Sequence, residues 1–111
     1  MEIESYVHLF HILIVGSLFL YVGKYKTLIP TVMYSVLLGL GIVIIFYHCF
    51  KVYNYIKIGK QYWVNLIHIF IVGPLLIIIG YKREKTERLY FELLLMLGFA
   101  SIGYHGYYLL I

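Results

Sequence analysis

Four long apolar runs constrain this chain more than any other feature of its sequence. They cover, approximately, residues 6–23, 28–53, 62–80 and 89–111. Each is close to the roughly 17 to 25 residues that cross a bilayer as an α-helix. With 63% apolar and only 13% charged residues, the composition departs strongly from that of a soluble globular domain. The sequence therefore predicts an all-α integral membrane protein with four spans.

The second half of the sequence repeats the first at an offset of 57 residues. When the first half is aligned with the second at this offset without a gap, identical residues coincide at several positions in both spans of the repeat, including Val7 with Val64 and Leu37 with Leu94. We interpret this as a tandem duplication of a helical hairpin within one transmembrane domain, residues 1–111, with repeat 1 at about 6–54 and repeat 2 at about 63–111. Because each repeat has two spans, the repeats are parallel. A hairpin alone leaves an apolar face without a partner, which predicts a four-helix bundle.

One histidine in each span follows the same offset. These residues are His11, His48, His68 and His105. Counted from the ends of their spans, all four lie roughly 7 to 9 Å below one membrane face, which predicts a single layer. Ionisable groups within a membrane usually face the bundle interior, and neutral imidazole is the commonest protein ligand of transition metals. The layer therefore predicts a site for a transition metal ion or haem, with these four side chains as ligands.

Two further interpretations fit the same histidines. In the first, they are interfacial anchors in a structural or assembly component of a cellular or virion membrane. In the second, they line a proton relay or pore in a small channel or transporter, which would work as a homo-oligomer. Four polar neighbours are expected as accessory residues beside the histidines: His8, Asn65, Tyr47 and Tyr104.

Six glycines predict close helix packing, because small residues let the backbones of membrane helices approach one another. They are Gly16, Gly23, Gly41, Gly73, Gly80 and Gly98. Gly23 and Gly80 are also expected to end the first and third helices, since glycine commonly follows a last helical turn. Pro30 is expected in the first turn of the second helix, where a missing amide hydrogen matters little.

Basic residues are distributed unevenly between the two sides of the predicted membrane. Six lie beside the two hairpin loops and three beside the connection between the second and third spans. The positive-inside tendency therefore predicts cytoplasmic hairpin loops, with both termini on the opposite side. The net charge of +4 is scattered through short loops and forms no surface for nucleic acid, so the expected partner is the lipid bilayer.

No motif in the sequence favours an enzyme, since a phosphate-binding glycine loop, a nucleophile placed beside histidine and carboxylate, and paired intramembrane acids are all missing. The segments 65–76 and 104–107 resemble two-helix units in small membrane proteins of giant DNA viruses. The resemblance covers both repeats, with Ser17 in the first where the second has Pro74. It implies a viral origin and carries no activity.

Overall fold

The computed structural model describes residues 2–111, and within them the chain is helical without any strand. Four helices are long and apolar enough to cross a membrane. Helix α1 spans Ile3–Leu28, α2 spans Val32–Ile58, α3 spans Trp63–Lys85 and α4 spans Arg88–Leu110. The predicted all-α class with four helices of spanning length is confirmed.

The helices form two compact units that do not follow the order of the chain. The first unit contains α1 and α4, and the second, Pro30–Thr86, contains α2 and α3. Each unit therefore combines the first helix of one sequence repeat with the second helix of the other. Within each unit the two helices run antiparallel. Residues later in one helix contact residues earlier in its partner, as Gly16 contacts Ile102 and Gly23 contacts Leu95.

Glycines bring α1 and α4 close together in the first unit. An ideal Cβ on Gly23 would lie 2.7 Å from the Cβ and 2.8 Å from the Cα of Leu95. One on Gly16 would lie 2.6 Å from Ile102 Cγ1. Such distances are far inside van der Waals contact, so a larger residue would force the two helices apart.

The second unit has the same contacts at positions shifted by 57 residues. An ideal Cβ on Gly80 would lie 2.6 Å from the backbone nitrogen of Leu38, and one on Gly73 would overlap the side chain of Ile45. Backbone atoms cannot move away as a flexible side chain can. The glycines of α3 therefore determine how closely α2 approaches it.

Gly41 and Gly98 contribute from the other helix of each unit. An ideal Cβ on Gly41 would lie 2.9 Å from Ile77 Cγ1, and one on Gly98 would lie 3.0 Å from Leu20 Cδ2. These two contacts are also related by the sequence offset. Each helix pair is thus held close by small residues from both of its members.

The prediction that Gly23 and Gly80 end their helices is wrong. The α-helical backbone continues for two residues past each of them, because both glycines lie in the helix–helix contact. The α-helical parts of α1 and α3 are capped at Lys26 and Arg83, whose φ angles are +53° and +56°. Each of these residues begins a short 3₁₀ turn. Both repeats therefore use a basic residue in a conformation that favours glycine.

Helix α2 differs from the prediction at both ends. It begins at Val32, so Pro30 lies before the helix, where its carbonyl accepts a 2.9 Å hydrogen bond from the amide of Met33. It extends to Ile58 and ends at Gly59, which has φ +69°. A left-handed glycine with a backbone bond reaching back over the last turn is a common helix end. Gly59 is therefore a helix terminator that the apolar pattern did not reveal.

Candidate functional site

The four histidines form two stacked pairs, one in each unit. In the first unit the imidazole rings of His11 and His105 have centroids 4.2 Å apart and planes inclined by 22°. In the second unit the rings of His68 and His48 have centroids 4.1 Å apart and planes inclined by 16°. The two pairs occupy equivalent positions of the repeats. Each pair joins the two helices of its own unit.

Each stacked pair includes the residue at which a π-helical segment begins. These segments are His11–Gly16 in α1 and His68–Val72 in α3. Such turns are rare and are frequently found at functional sites. Proline does not explain them, because α1 has Ser17 where α3 has Pro74. Residues 11–16 and 68–73 differ only at Leu13 and Phe70, and both contain the histidine and a glycine five residues later, which is the spacing of a π-helical hydrogen bond.

The backbone orients one histidine of each pair. His11 donates its Nδ1 hydrogen to the carbonyl of Val7, and His68 donates to the carbonyl of Val64, both at 2.8 Å. A carbonyl oxygen can only accept, so the proton is on Nδ1, and in the neutral ring Nε2 is the acceptor. The backbone of the same helix therefore determines both the ring orientation and the tautomer.

A polar side chain from the partner helix orients the other histidine. The Nδ1 of His48 donates to Oδ1 of Asn65 at 2.6 Å. The Nδ1 of His105 lies 2.8 Å from Nδ1 of His8, so one of these two rings donates and the other accepts. Asn65 and His105 are 7% and 8% exposed, which makes an unsatisfied polar group costly in either contact. The accessory positions 8 and 65 thus make equivalent contacts with different chemistry.

The two tyrosines predicted as accessory residues contact the histidines through their ring edges. Tyr47 meets His48 with centroids 5.2 Å apart at 87°, and Tyr104 meets His105 with centroids 5.1 Å apart at 88°. Edge-to-face packing is a favourable arrangement for aromatic rings. The tyrosines therefore extend each stacked pair into a small aromatic cluster.

Stacking limits what the histidine pairs can bind. A nitrogen ligand uses a lone pair in the ring plane, and zinc binds it at about 2.0 to 2.1 Å. Two nearly parallel rings stacked 4.2 or 4.1 Å apart have no common in-plane point at that distance, so neither pair can chelate one ion in this conformation. Across residues 2–111, no three His, Cys, Asp or Glu side chains form a group that could hold a metal ion.

Comparisons of the chain with known protein families, with characterised proteins and with solved structures find no match. The resemblance to viral membrane proteins stays a prediction.

Proposed function

We propose that this chain is an integral membrane protein with a structural role in a cellular or virion membrane. In this proposal the stacked histidines hold pairs of antiparallel helices together. The observation that carries the proposal is the pairing of His11 with His105, and of His68 with His48, each across a helix–helix contact. Their Nδ1 atoms are used within the protein. Imidazoles whose Nδ1 atoms are bonded in this way can stabilise the helix pairs without a ligand.

Substitution of one histidine in each pair tests whether the stacked rings stabilise the helix pairs. His11→Phe and His68→Phe keep a stacked ring but lose its nitrogens, whereas His11→Ala and His68→Ala lose both. We expect the alanine variants to lose about 0.5 to 1.5 kcal/mol of unfolding free energy more than the phenylalanine variants, because aromatic pairs contribute about that much. Unfolding of the purified protein by a denaturing detergent provides the measurement. Equal losses in the two sets would contradict a stacking role.

A transition metal or haem site is the second candidate, and the tautomer of the rings supports it. Histidines that ligate a metal usually donate their other ring hydrogen to a carbonyl or carboxylate. His11 and His68 make such a bond, which directs the Nε2 lone pair to act as ligand. Because stacked rings do not converge, a metal or haem iron would bind a single ring outside the stack, or require the stack to open.

The same variants separate the two candidates. Ligation predicts a haem absorbance band or stoichiometric metal in the purified protein that both His11→Phe and His11→Ala reduce, since neither side chain can bind a metal. The structural proposal predicts protein without haem or stoichiometric metal, with stability following the order His, Phe, Ala. Ion flux in liposomes tests the remaining prediction, a small channel or transporter.

We further propose insertion of the two repeats as a four-helix bundle, with both hairpin loops in the cytoplasm and both termini opposite. The uneven distribution of basic residues supports this orientation. Single cysteines provide the test: Lys85→Cys in the second loop and Gln61→Cys between α2 and α3, each in a Cys49→Ser background. Under the proposed topology, an impermeant maleimide added to intact cells labels position 61 and spares position 85. The reverse pattern would overturn the orientation.

A further inference from the structure

The end of α2 and the connection that follows it form a basic and aromatic cluster. Residues 47–62 include three lysines and no aspartate or glutamate. The cluster that matters here consists of Lys51, Lys60 and Tyr55. It lies at the end of a helix long and apolar enough to cross a membrane, where lipid head groups would surround it.

The helix end at Gly59 brings the two lysines to one ring. With Gly59 at φ +69°, the chain reverses, and the amide of Lys60 donates to the carbonyl of Tyr55 at 2.9 Å. The ammonium nitrogen of Lys60 then lies 4.8 Å from the centroid of the Tyr55 ring, and that of Lys51 lies 5.0 Å from the same centroid. Both ammonium groups therefore make cation–π contacts with one aromatic ring.

Two positive charges are therefore held close together, and residues 47–62 contain no carboxylate that could compensate them. Both lie within about one Debye length of each other at 0.1 M salt, so they repel and jointly attract an anion. The ring partly compensates each charge through a cation–π contact. An anion with several acceptor oxygens would relieve the repulsion more completely, because each ammonium group has three hydrogens to donate.

We propose that Lys51, Lys60 and Tyr55 form a binding site for a phosphate group, and that its source is the head group of an anionic lipid. Lysine binds phosphate as a point charge, and basic groups next to a membrane span attract anionic head groups in the leaflet that they face, which under the proposed topology is the non-cytoplasmic one. The position at the end of α2 favours a lipid over a phosphate in solution. The site includes none of the stacked histidines, although the ammonium of Lys51 also lies 5.8 Å from the ring centroid of Tyr47, which contacts His48. The proposal requires only that α2 spans the membrane.

The test measures the thermal stability of the full chain in neutral detergent micelles against added lipid. Phosphatidylglycerol should raise the unfolding temperature more than phosphatidylcholine, and the difference should shrink at high salt. Lys51→Gln and Lys60→Gln should each raise the phosphatidylglycerol concentration at half-effect by roughly fivefold. Inorganic phosphate forms a separate arm, and stabilisation by it at equal concentration would identify a soluble phosphate as the source.

A matched control lies within the same segment. The ammonium of Lys57 sits 4.3 Å from the centroid of a different ring, that of Tyr53, so Lys57→Gln removes an equal charge outside the cluster. This variant should keep most of the lipid response. An equal loss in Lys57→Gln, or no difference between the two lipids, would overturn the proposal. If the Lys51→Gln protein fails to fold, Lys51→Arg with Lys60→Arg should fold and retain the response, and loss of it there counts against the site.

Discussion

The ring of His11 stacks on the ring of His105 at 4.2 Å, while its own Nδ1 is held by the carbonyl of Val7 one turn earlier. The stack joins two helices, whereas the hydrogen bond to Val7 lies within α1. This hydrogen bond holds the His11 ring in the orientation in which it stacks on His105. The same combination recurs at His68 and His48. Residues 57 positions apart therefore provide matched pairs of variants for testing each contact.

Alanine at Gly23 or Gly80 should destabilise the protein. The added Cβ would meet backbone atoms, the Cα of Leu95 at 2.8 Å or the nitrogen of Leu38 at 2.6 Å, so helices must separate. We expect a loss of about 1 to 3 kcal/mol in unfolding free energy, measured by denaturing-detergent titration. Gly39→Ala is the control, since nothing lies within 4 Å of its Cβ position. It should be neutral or stabilising, and similar losses in all three variants would count against tight packing.

The hydroxyl of Tyr34 should lower stability. It is buried and has no hydrogen-bond partner in the part of the chain that the structure describes. The equivalent residue of the other repeat is Phe91, which is 1% exposed. Tyr34→Phe should therefore raise the free energy of unfolding by about 1 kcal/mol, with Phe91→Tyr lowering it by a similar amount. Destabilisation by Tyr34→Phe would mean that the hydroxyl has a partner or a function.

Histidine should replace Asn65 better than alanine does, because position 65 corresponds to His8 of the other repeat. Asn65→Ala leaves the Nδ1 hydrogen of His48 without its 2.6 Å acceptor, which should lower the free energy of unfolding by about 1 to 3 kcal/mol. Asn65→His should lose less, because His8 makes the equivalent contact with His105. Thermal unfolding in detergent ranks the two variants. A histidine at position 65 that is as damaging as alanine would show that the two contacts are not equivalent.

The backbone at Lys26 and Arg83 should prefer glycine to alanine. Both residues have positive φ, at +53° and +56°, where a Cβ is unfavourable. Alanine and glycine both remove the ion pair of Lys26 with Glu92, so their difference isolates the backbone. We expect the glycine variants to be more stable than the alanine variants by roughly 1 to 2 kcal/mol. Lys24, inside the α-helix, is the control, and there the order should reverse.

Several local features could be predicted from the sequence, and others could not. Apolar run length is enough to identify four helices, because a membrane span must satisfy its backbone within itself. Helix ends were predicted less accurately, since a glycine such as Gly23 is compatible both with a helix end and with close packing between two helices. The positive φ angles at Lys26 and Arg83 could not be predicted from the residue type, because glycine would be expected in that conformation. Gly59 could have been recognised from its place in a polar connection.

The sequence by itself determined the number and type of helices, the offset that relates the halves, and which side chains could carry polar contacts. The sequence was interpreted as sequential hairpins, but a repeat of two spans is equally compatible with an exchange of partners between repeats. The tertiary structure decided that α1 packs on α4 and α2 on α3. It also decided that the histidines of each unit stack face to face, because ring orientation depends on contacts between residues distant in the chain.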